Sequence, residues 1–293
     1  MFHRILVPVD LGEASSAHVQ YAALFARRFG AEITLLYADE VAALFGGFDS
    51  EFVGMHIPAG EQVAKQENLL RSVASRHAGG IPSSVVAIPG PAVATIVRIA
   101  EETKPDLVVM GSHGGTSWRR AITGSVADGV IRAAMQPVLV IPPGFFPESI
   151  GRVVCPVNFT LASRDALDIA ARLAGTFDAE LLLVHVHEAD GLDNDLVHDR
   201  LRSYVPQELR TRCKMRELIL RGGPAERVID CVEAERADLL VMGTQVRELR
   251  AQTIIGTTAE RLLHFSPVPV LTVTHKHVDA VEESEPVTAS YGV

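Results

Sequence analysis

Two stretches of this chain carry residue types that can hold an anionic small molecule. Gly111-Ser112-His113-Gly114-Gly115 runs on to Thr123-Gly124-Ser125-Val126, after which a helical pattern continues through Arg132. Glycine lets the backbone approach a ligand closely and take up positive φ, and unpaired N–H groups at a helix start attract phosphate. Ser125 can add a hydroxyl donor, and Arg119 or Arg120 can either neutralise phosphate charge or form a solvated loop face. The other stretch, Asp10 to Ser16, puts a carboxylate directly after the apolar run Ile5 to Val9. An anionic ligand at the glycine loop follows from these types, although glycine-rich turns also join strands to helices for purely conformational reasons. The patterns GxxxxGK followed by Ser or Thr, and GxGxxG, are both absent. Neither a Walker-type nucleotide site nor a dinucleotide fingerprint is therefore supported. A GxxG loop also serves RNA-binding KH domains, but here it sits in an acidic α/β pattern.

Histidines offer two further chemistries. His113, inside the glycine loop, can act as a general base on water or simply hydrogen-bond as a polar loop residue, since no acid or nucleophile accompanies it in a recognisable arrangement. His185 and His187 alternate with Val184 and Val186, which places both imidazoles on one face of a strand with His198 nearby. Neutral imidazoles suit zinc, but no firm third or fourth ligand is evident, and packing at a strand end explains the pair equally. Trp118 can pack against a partner domain. Leu69, Leu70 and Val73 read as the buried stripe of a helix, or as a pocket wall with Phe45, Phe48 and Phe52.

The elements that must position these groups occur twice. Arg4-Ile5-Leu6-Val7-Pro8-Val9-Asp10 returns 148 residues later as Arg152-Val153-Val154-Cys155-Pro156-Val157-Asn158, and Asp106 to Gly111 returns 132 residues later as Asp238 to Gly243. Pro89-Gly90-Pro91-Ala92 is echoed by Gly222-Gly223-Pro224-Ala225, and Pro137 to Val140 by Pro269 to Thr272. The chain is thus two copies of one unit, the first carrying about 16 extra residues between its second and third strands. Within a copy, short apolar runs alternate with helical stripes. Strands are expected at 5–9, 32–37, 85–88, 107–110 and 138–141. Ser15 or Ser16 caps the first helix and Gly30 stops it; Ser163 and Gly175 do the same in the second copy. Five buried strands with helical crossovers imply an open parallel sheet with helices on both faces. With strand order 3-2-1-4-5, the crevice where the order reverses lies between strands one and four, facing both Asp10 and the glycine loop.

The unit boundary falls in the Pro- and Gly-rich segment 142–147. That gives domains at 1–147 and 148–277, with an acidic, disordered tail over 278–293. With 36 Asp plus Glu against 27 Lys plus Arg and a net charge of -9, the 293-residue chain offers no broad basic face for nucleic acid. Cys155, Cys213 and Cys231 lack CxxC spacing and read as reduced thiols. The N-terminus shows no leader, and no apolar stretch approaches the roughly 20 residues that span a bilayer. A cytoplasmic protein is expected.

The combination Gly111-x2-Gly114-x9-Gly124-Ser125 with Ile5-Leu6-Val7-Pro8-Val9-Asp10 resembles the nucleotide-binding universal stress proteins over nearly the whole chain, as a tandem pair. The resemblance implies two Rossmann-like domains of the adenine-nucleotide-hydrolase type, each a five-stranded parallel sheet of order 3-2-1-4-5. It assigns Asp10 and the backbone near Tyr37 and Ala38 to adenine and ribose, and Gly111, Gly114, Gly124 and Ser125 to the phosphates of ATP, with Mg2+ as a companion. It also implies that the last strands of the two copies cover each other's edges, with further dimerisation of the whole chain open.

The second copy departs from this pattern. Gly243 and Gly256-Thr257 remain, but Val246 stands where Gly114 does, and Asn158 stands where Asp10 does. Valine is poorly suited to positive φ, and asparagine supplies no carboxylate. The expectation is an ATP-binding first copy and a second copy that binds weakly, differently or not at all. The leading function is a stress-response protein signalling through nucleotide-dependent conformation. The alternatives are a slow ATPase or nucleotide-dependent transferase, and a nucleotide-independent scaffold.

Overall fold

The computed structural model describes residues 1–12, 15–40, 59–112, 124–145, 149–187, 194–249 and 252–276. His113, Gly114, Trp118, Arg119, Arg120, the phenylalanines at 45, 48 and 52, and the segment 278–293 lie outside the described residues. The first half contains β1 (Arg4–Pro8), α1 (Ser15–Phe29), β2 (Glu32–Asp39), α2 (Ala59–His77), β3 (Ser83–Pro89), α3 (Ala92–Thr103), β4 (Leu107–Gly111), α4 (Ser125–Ala133) and β5 (Val138–Ile141). The second contains β6 (Arg152–Pro156), α5 (Leu161–Phe177), β7 (Glu180–His187), α6 (Asn194–Tyr204), α7 (Gln207–Arg210), β8 (Lys214–Arg221), α8 (Pro224–Ala234), β9 (Leu239–Leu249), β10 (Gln252–Ile254), α9 (Thr257–Phe265) and β11 (Val270–Lys276).

Each half builds the expected parallel order. The sheet runs β3-β2-β1-β4-β5 and then β11-β9-β6-β7-β8, with β10 paired only to β9. The halves meet where β5 and β11 pair antiparallel, Val140 opposite Val270 and Val138 opposite Thr272. Each strand thereby covers the open edge of the other, and the Thr272 hydroxyl donates to the Val138 carbonyl at 3.2 Å. Strand residues alternate between two apolar layers because successive side chains leave a strand on opposite faces. Ile5 and Val7 enter one core with Val19, Leu70, Leu167 and Leu201. Leu6 enters the other with Ile96, Val130, Val228 and Leu262. Strands buried on both faces explain why they read as continuous apolar runs. The first of these cores spans both halves, with Phe25 and Phe29 of α1 packed on Phe177 of α5 at ring separations of 5.5 and 6.0 Å.

The strand registers place the extra residues of the first half where the repeat does. Asp39 faces Pro89 in one half and His187 faces Arg221 in the other, so the offset falls from 148 to 132 between second and third strands. The same registers shift one sequence echo. Gly90 aligns with Gly222, both at positive φ, and not with Gly223. A side chain at Gly90 would strike Thr95, and one at Gly222 would meet Arg227, five residues on in each case.

Three local expectations are corrected. The cap of α5 is Thr160, not Ser163: the Thr160 hydroxyl accepts the Ser163 N–H at 3.3 Å, and Ser163 is buried inside the first turn. Gly175 does not end that helix, which runs to Phe177 and closes on Asp178 at φ 57. Gly175 is needed for close approach, since a Cβ there would lie 2.7 Å from the Arg212 carbonyl oxygen. In α2, Leu70 is fully buried while Leu69 is 47% exposed, so Leu69 is not part of the buried stripe. Gly30, at φ 65, stops α1 as expected.

Candidate functional site

A cleft of about 300 Å³ opens at the carboxyl ends of β1, β2 and β4 in the first half. It lies where the strand order reverses, the position at which open parallel sheets bind ligands. Asp10, Tyr37, Ala38 and Gly111 all line it. Val126 lines it too, and the residue before, Ser125, begins α4. Gly124 is the N-cap of that helix, with no side-chain cap bond, and its N–H donates to the Ser112 carbonyl. Among the described residues no side chain caps α4, whose first backbone donors stand beside the cleft. Gly114 lies outside the described residues.

Two carboxylates line the same cleft. Asp10 turns back on its own loop, its Oδ1 accepting the Gly12 N–H at 3.0 Å. Glu40 lines the same cleft and its Oε1 accepts the Ala92 N–H at 2.9 Å, capping α3. Tyr37 is part-buried between these carboxylates. Burial first, then the charges of Asp39, Asp10 and Glu40, push its phenol above the ordinary range. Behind the strand end, Asp39 is buried and accepts hydrogen bonds from Gln62, at 3.1 Å, and Gln66, tying α2 to β2. The carboxylates suit N–H and O–H donors of a ligand, and the start of α4 suits an anion.

His18 lines this cleft and was not anticipated from sequence. It is 5% exposed, and burial brings its imidazole down to about 4, against the opposing pull of Asp10 and a hydrogen bond to the Pro8 carbonyl. Its Nε2 has no hydrogen-bond partner among the described residues. The signal was present in the repeat: the equivalent position in α5 is Ala166, so the first copy alone places an imidazole under the β1 loop. Glu40, Ile96 and Met110 also line the cleft without having been singled out.

The second half forms a matching cleft of about 300 Å³ with a different lining. Asn158 replaces Asp10, and its Oδ1 accepts the Thr160 N–H and hydroxyl at 3.3 and 2.7 Å. The glycine loop is gone. β9 continues through Val246, paired with Lys276 of β11, and turns into a hairpin with β10. Gly243 is retained for packing, because a Cβ there would fall on the Ala162 carbonyl group at the start of α5. A larger hollow of about 500 Å³ is lined by helix and loop residues only, among them Arg164, Asp165, Asp168 and Glu208, and no strand end opens into it.

Among the described residues the histidine pair gathers no further metal ligands. His185 Nδ1 is engaged with the Val157 carbonyl at 2.8 Å and its ring packs 4.6 Å from Phe159. His198 lies 3.9 Å from Glu217. Among the described residues no three His, Cys, Asp or Glu side chains gather to hold a metal ion. The three cysteines are free, and burial pushes the Cys155 thiol up to about 12, which makes it unreactive. Among the described residues no helix is long and apolar enough to cross a membrane.

Comparison with known proteins agrees with this geometry. The sequence pattern of the universal stress protein family matches residues 1–142 and again 149–274. Universal stress protein Rv2623 of Mycobacterium tuberculosis is 25% identical over 91% of this chain and 95% of its own length. Universal stress protein MJ0531 of Methanocaldococcus jannaschii is 31% identical over 48% of this chain and 82% of its own. Among solved structures, a universal stress protein from Archaeoglobus fulgidus superposes with a TM-score of 0.73 at 23% identity, covering 92% of this chain and 98% of that one, which supports the fold. Two matched segments, each folded with strand order 3-2-1-4-5, show that the chain belongs to the universal stress protein family as a tandem pair of its domains.

Proposed function

We propose that the first half binds ATP and that the protein acts in stress response or signalling through the nucleotide-dependent conformation of the loop after β4. The observation that carries this reading is that the first cleft brings the carboxylates Asp10 and Glu40 together with the start of α4, which no described side chain caps. Adenine and ribose present N–H and O–H donors that suit the carboxylates, and phosphates suit helix N–H groups. Asp10, Tyr37 and Ala38 hold the nucleoside. Gly111, Gly114, Gly124 and Ser125 hold the phosphates, with Mg2+ accompanying them. The domains are 1–147 and 148–277, followed by a tail over 278–293, and the cytoplasm supplies both the ATP and the reducing conditions that suit free cysteines.

Nucleotide shifts the loop only by binding one of its arrangements more tightly than another. Chromatographic analysis of nucleotide released from freshly purified protein tests the reading. ATP is expected in the wild-type chain and absent from Gly114→Val, where a β-branched residue blocks close approach. A wild-type chain that carries no nucleotide, and acquires none from millimolar ATP and magnesium, contradicts it.

A further inference from the structure

We propose that Arg132 carries the occupancy of the first cleft into the second half: phosphate at the start of α4 draws Arg132 onto Asp128 and loosens its hold on Glu260 of α9. The inference rests on reading the first cleft as a nucleotide site and adds the route by which its signal leaves that half.

The two helices start alike. Gly124 is the N-cap of α4 and Gly256 that of α9, and no described side chain caps either. The Asp128 N–H donates to the Gly124 carbonyl and the Glu260 N–H to the Gly256 carbonyl, each at 3.0 Å. Each acid therefore closes the first turn of its helix. Val126 of α4 lines the first cleft, and Gly256 and Thr257 line the second.

One guanidinium grips both turns. Arg132 Nε donates to Asp128 Oδ2 at 2.9 Å, and Nη2 donates to Glu260 Oε1 at 3.2 Å. The arginine side chain is 23% exposed, which limits its screening by solvent and salt. Strand β10 also packs against α4, and Ile255, between β10 and the Gly256 cap, is buried in the same apolar layer as Val130. The start of α9 thus leans on α4 through an ion pair and through the hairpin. The repeat makes this bridge one-sided: Glu260 stands at the place of Asp128, but His264 stands at the place of Arg132. A guanidinium can divide its forked donors between two carboxylates, and an imidazole has no such fork.

The direction of the effect follows from charge. Phosphate beside the first turn of α4 repels the Asp128 carboxylate and attracts Arg132, so the arrangement with Arg132 drawn along α4 gains over the shared one. Glu260 then loses part of its partner, and the first turn of α9 is held less firmly. By reciprocity, a chain without the Glu260 charge leaves Arg132 to α4 and binds phosphate more tightly.

Hydrogen exchange of the full chain, nucleotide-free and saturated with ATP and magnesium, tests this together with calorimetric titration. Amides of α9 from Glu260 to Leu263 are expected to exchange about threefold faster with ATP bound. That acceleration is expected to vanish in Glu260→Gln, which binds ATP about two- to threefold more tightly, and in Arg132→Lys, which keeps the charge without the fork. General damage to the fold would weaken ATP, and direct occupation of the second cleft would slow these amides, so both signs oppose the expected ones. Bound ATP with unchanged or slower exchange in α9, or weaker ATP binding by Glu260→Gln, overturns this proposal and leaves the first-cleft reading intact. A chain that binds no ATP overturns both.

Discussion

His18 and Ala166 occupy one position in the two halves, yet only the first carries a titratable ring, 5% exposed beneath the Asp10 loop. Burial favours the neutral imidazole, so the folded pKa falls from 6.5 to about 4. Between these values the unfolded chain binds a proton that the folded chain does not. Its contribution is therefore fully present above about pH 6.5 and is lost as pH falls toward 4, amounting to about 3 kcal/mol. Urea unfolding across this range is expected to show the wild type losing stability more steeply than His18→Ala. Parallel curves for the two proteins would mean that folding leaves the affinity of the ring for a proton unchanged, which contradicts burial of a neutral imidazole. A neutral His18 leaves Asp10 and Glu40 as the charged groups among the described lining of the first cleft, where the second cleft has Asn158 in the place of Asp10.

At the scale of elements, the same residue type serves different ends. Gly243 ends the apolar part of β9 where a Cβ would collide with the Ala162 carbonyl, whereas an added Cβ at Gly256 meets nothing within 4 Å. Gly243→Ala is expected to force α5 away from β9 and cost several kcal/mol, while Gly256→Ala is expected to stay within about 1 kcal/mol of wild type. Chemical denaturation of the two variants checks this, and equal effects would contradict the packing role. The alternation of strands and helices, their order and the β5–β11 join were legible because each strand is buried on both faces and each copy repeats the pattern. Asp10, Tyr37, Ala38 and Gly111 were legible as neighbours for the same reason. The cap at Thr160 was not, since hydroxyls at 160 and 163 make equal cap candidates until the helix start is fixed. Gly175 looked like a stop signal because sequence does not distinguish a glycine that turns the chain from one that admits the Arg212 backbone. The hairpin at β10 was hidden because the second loop was read against the first, whereas Val246 is a residue type at home in a strand. His18 was not singled out, because a lone histidine inside a helix carries no spacing signal of its own.

Across the whole molecule, the two halves form one sheet through β5 and β11 and share both apolar layers, so a single chain encloses a pair of similar but unequal clefts. The helices that begin at those clefts are also joined, Arg132 of α4 bridging Glu260 of α9 at 3.2 Å while it holds Asp128 of its own helix at 2.9 Å. Duplication has kept the frame and divided the chemistry: carboxylates and a glycine loop in one half, amide and hydroxyl side chains and a β-hairpin in the other. The central claim is that ATP is bound by the first half alone. Calorimetric titration of the nucleotide-free chain with ATP and magnesium tests it most directly. The account predicts one site per chain, weakened roughly tenfold or more by Asp10→Asn and unaffected by Asn158→Ala. Two equivalent sites, or a single site that responds to Asn158→Ala and not to Asp10→Asn, would contradict it.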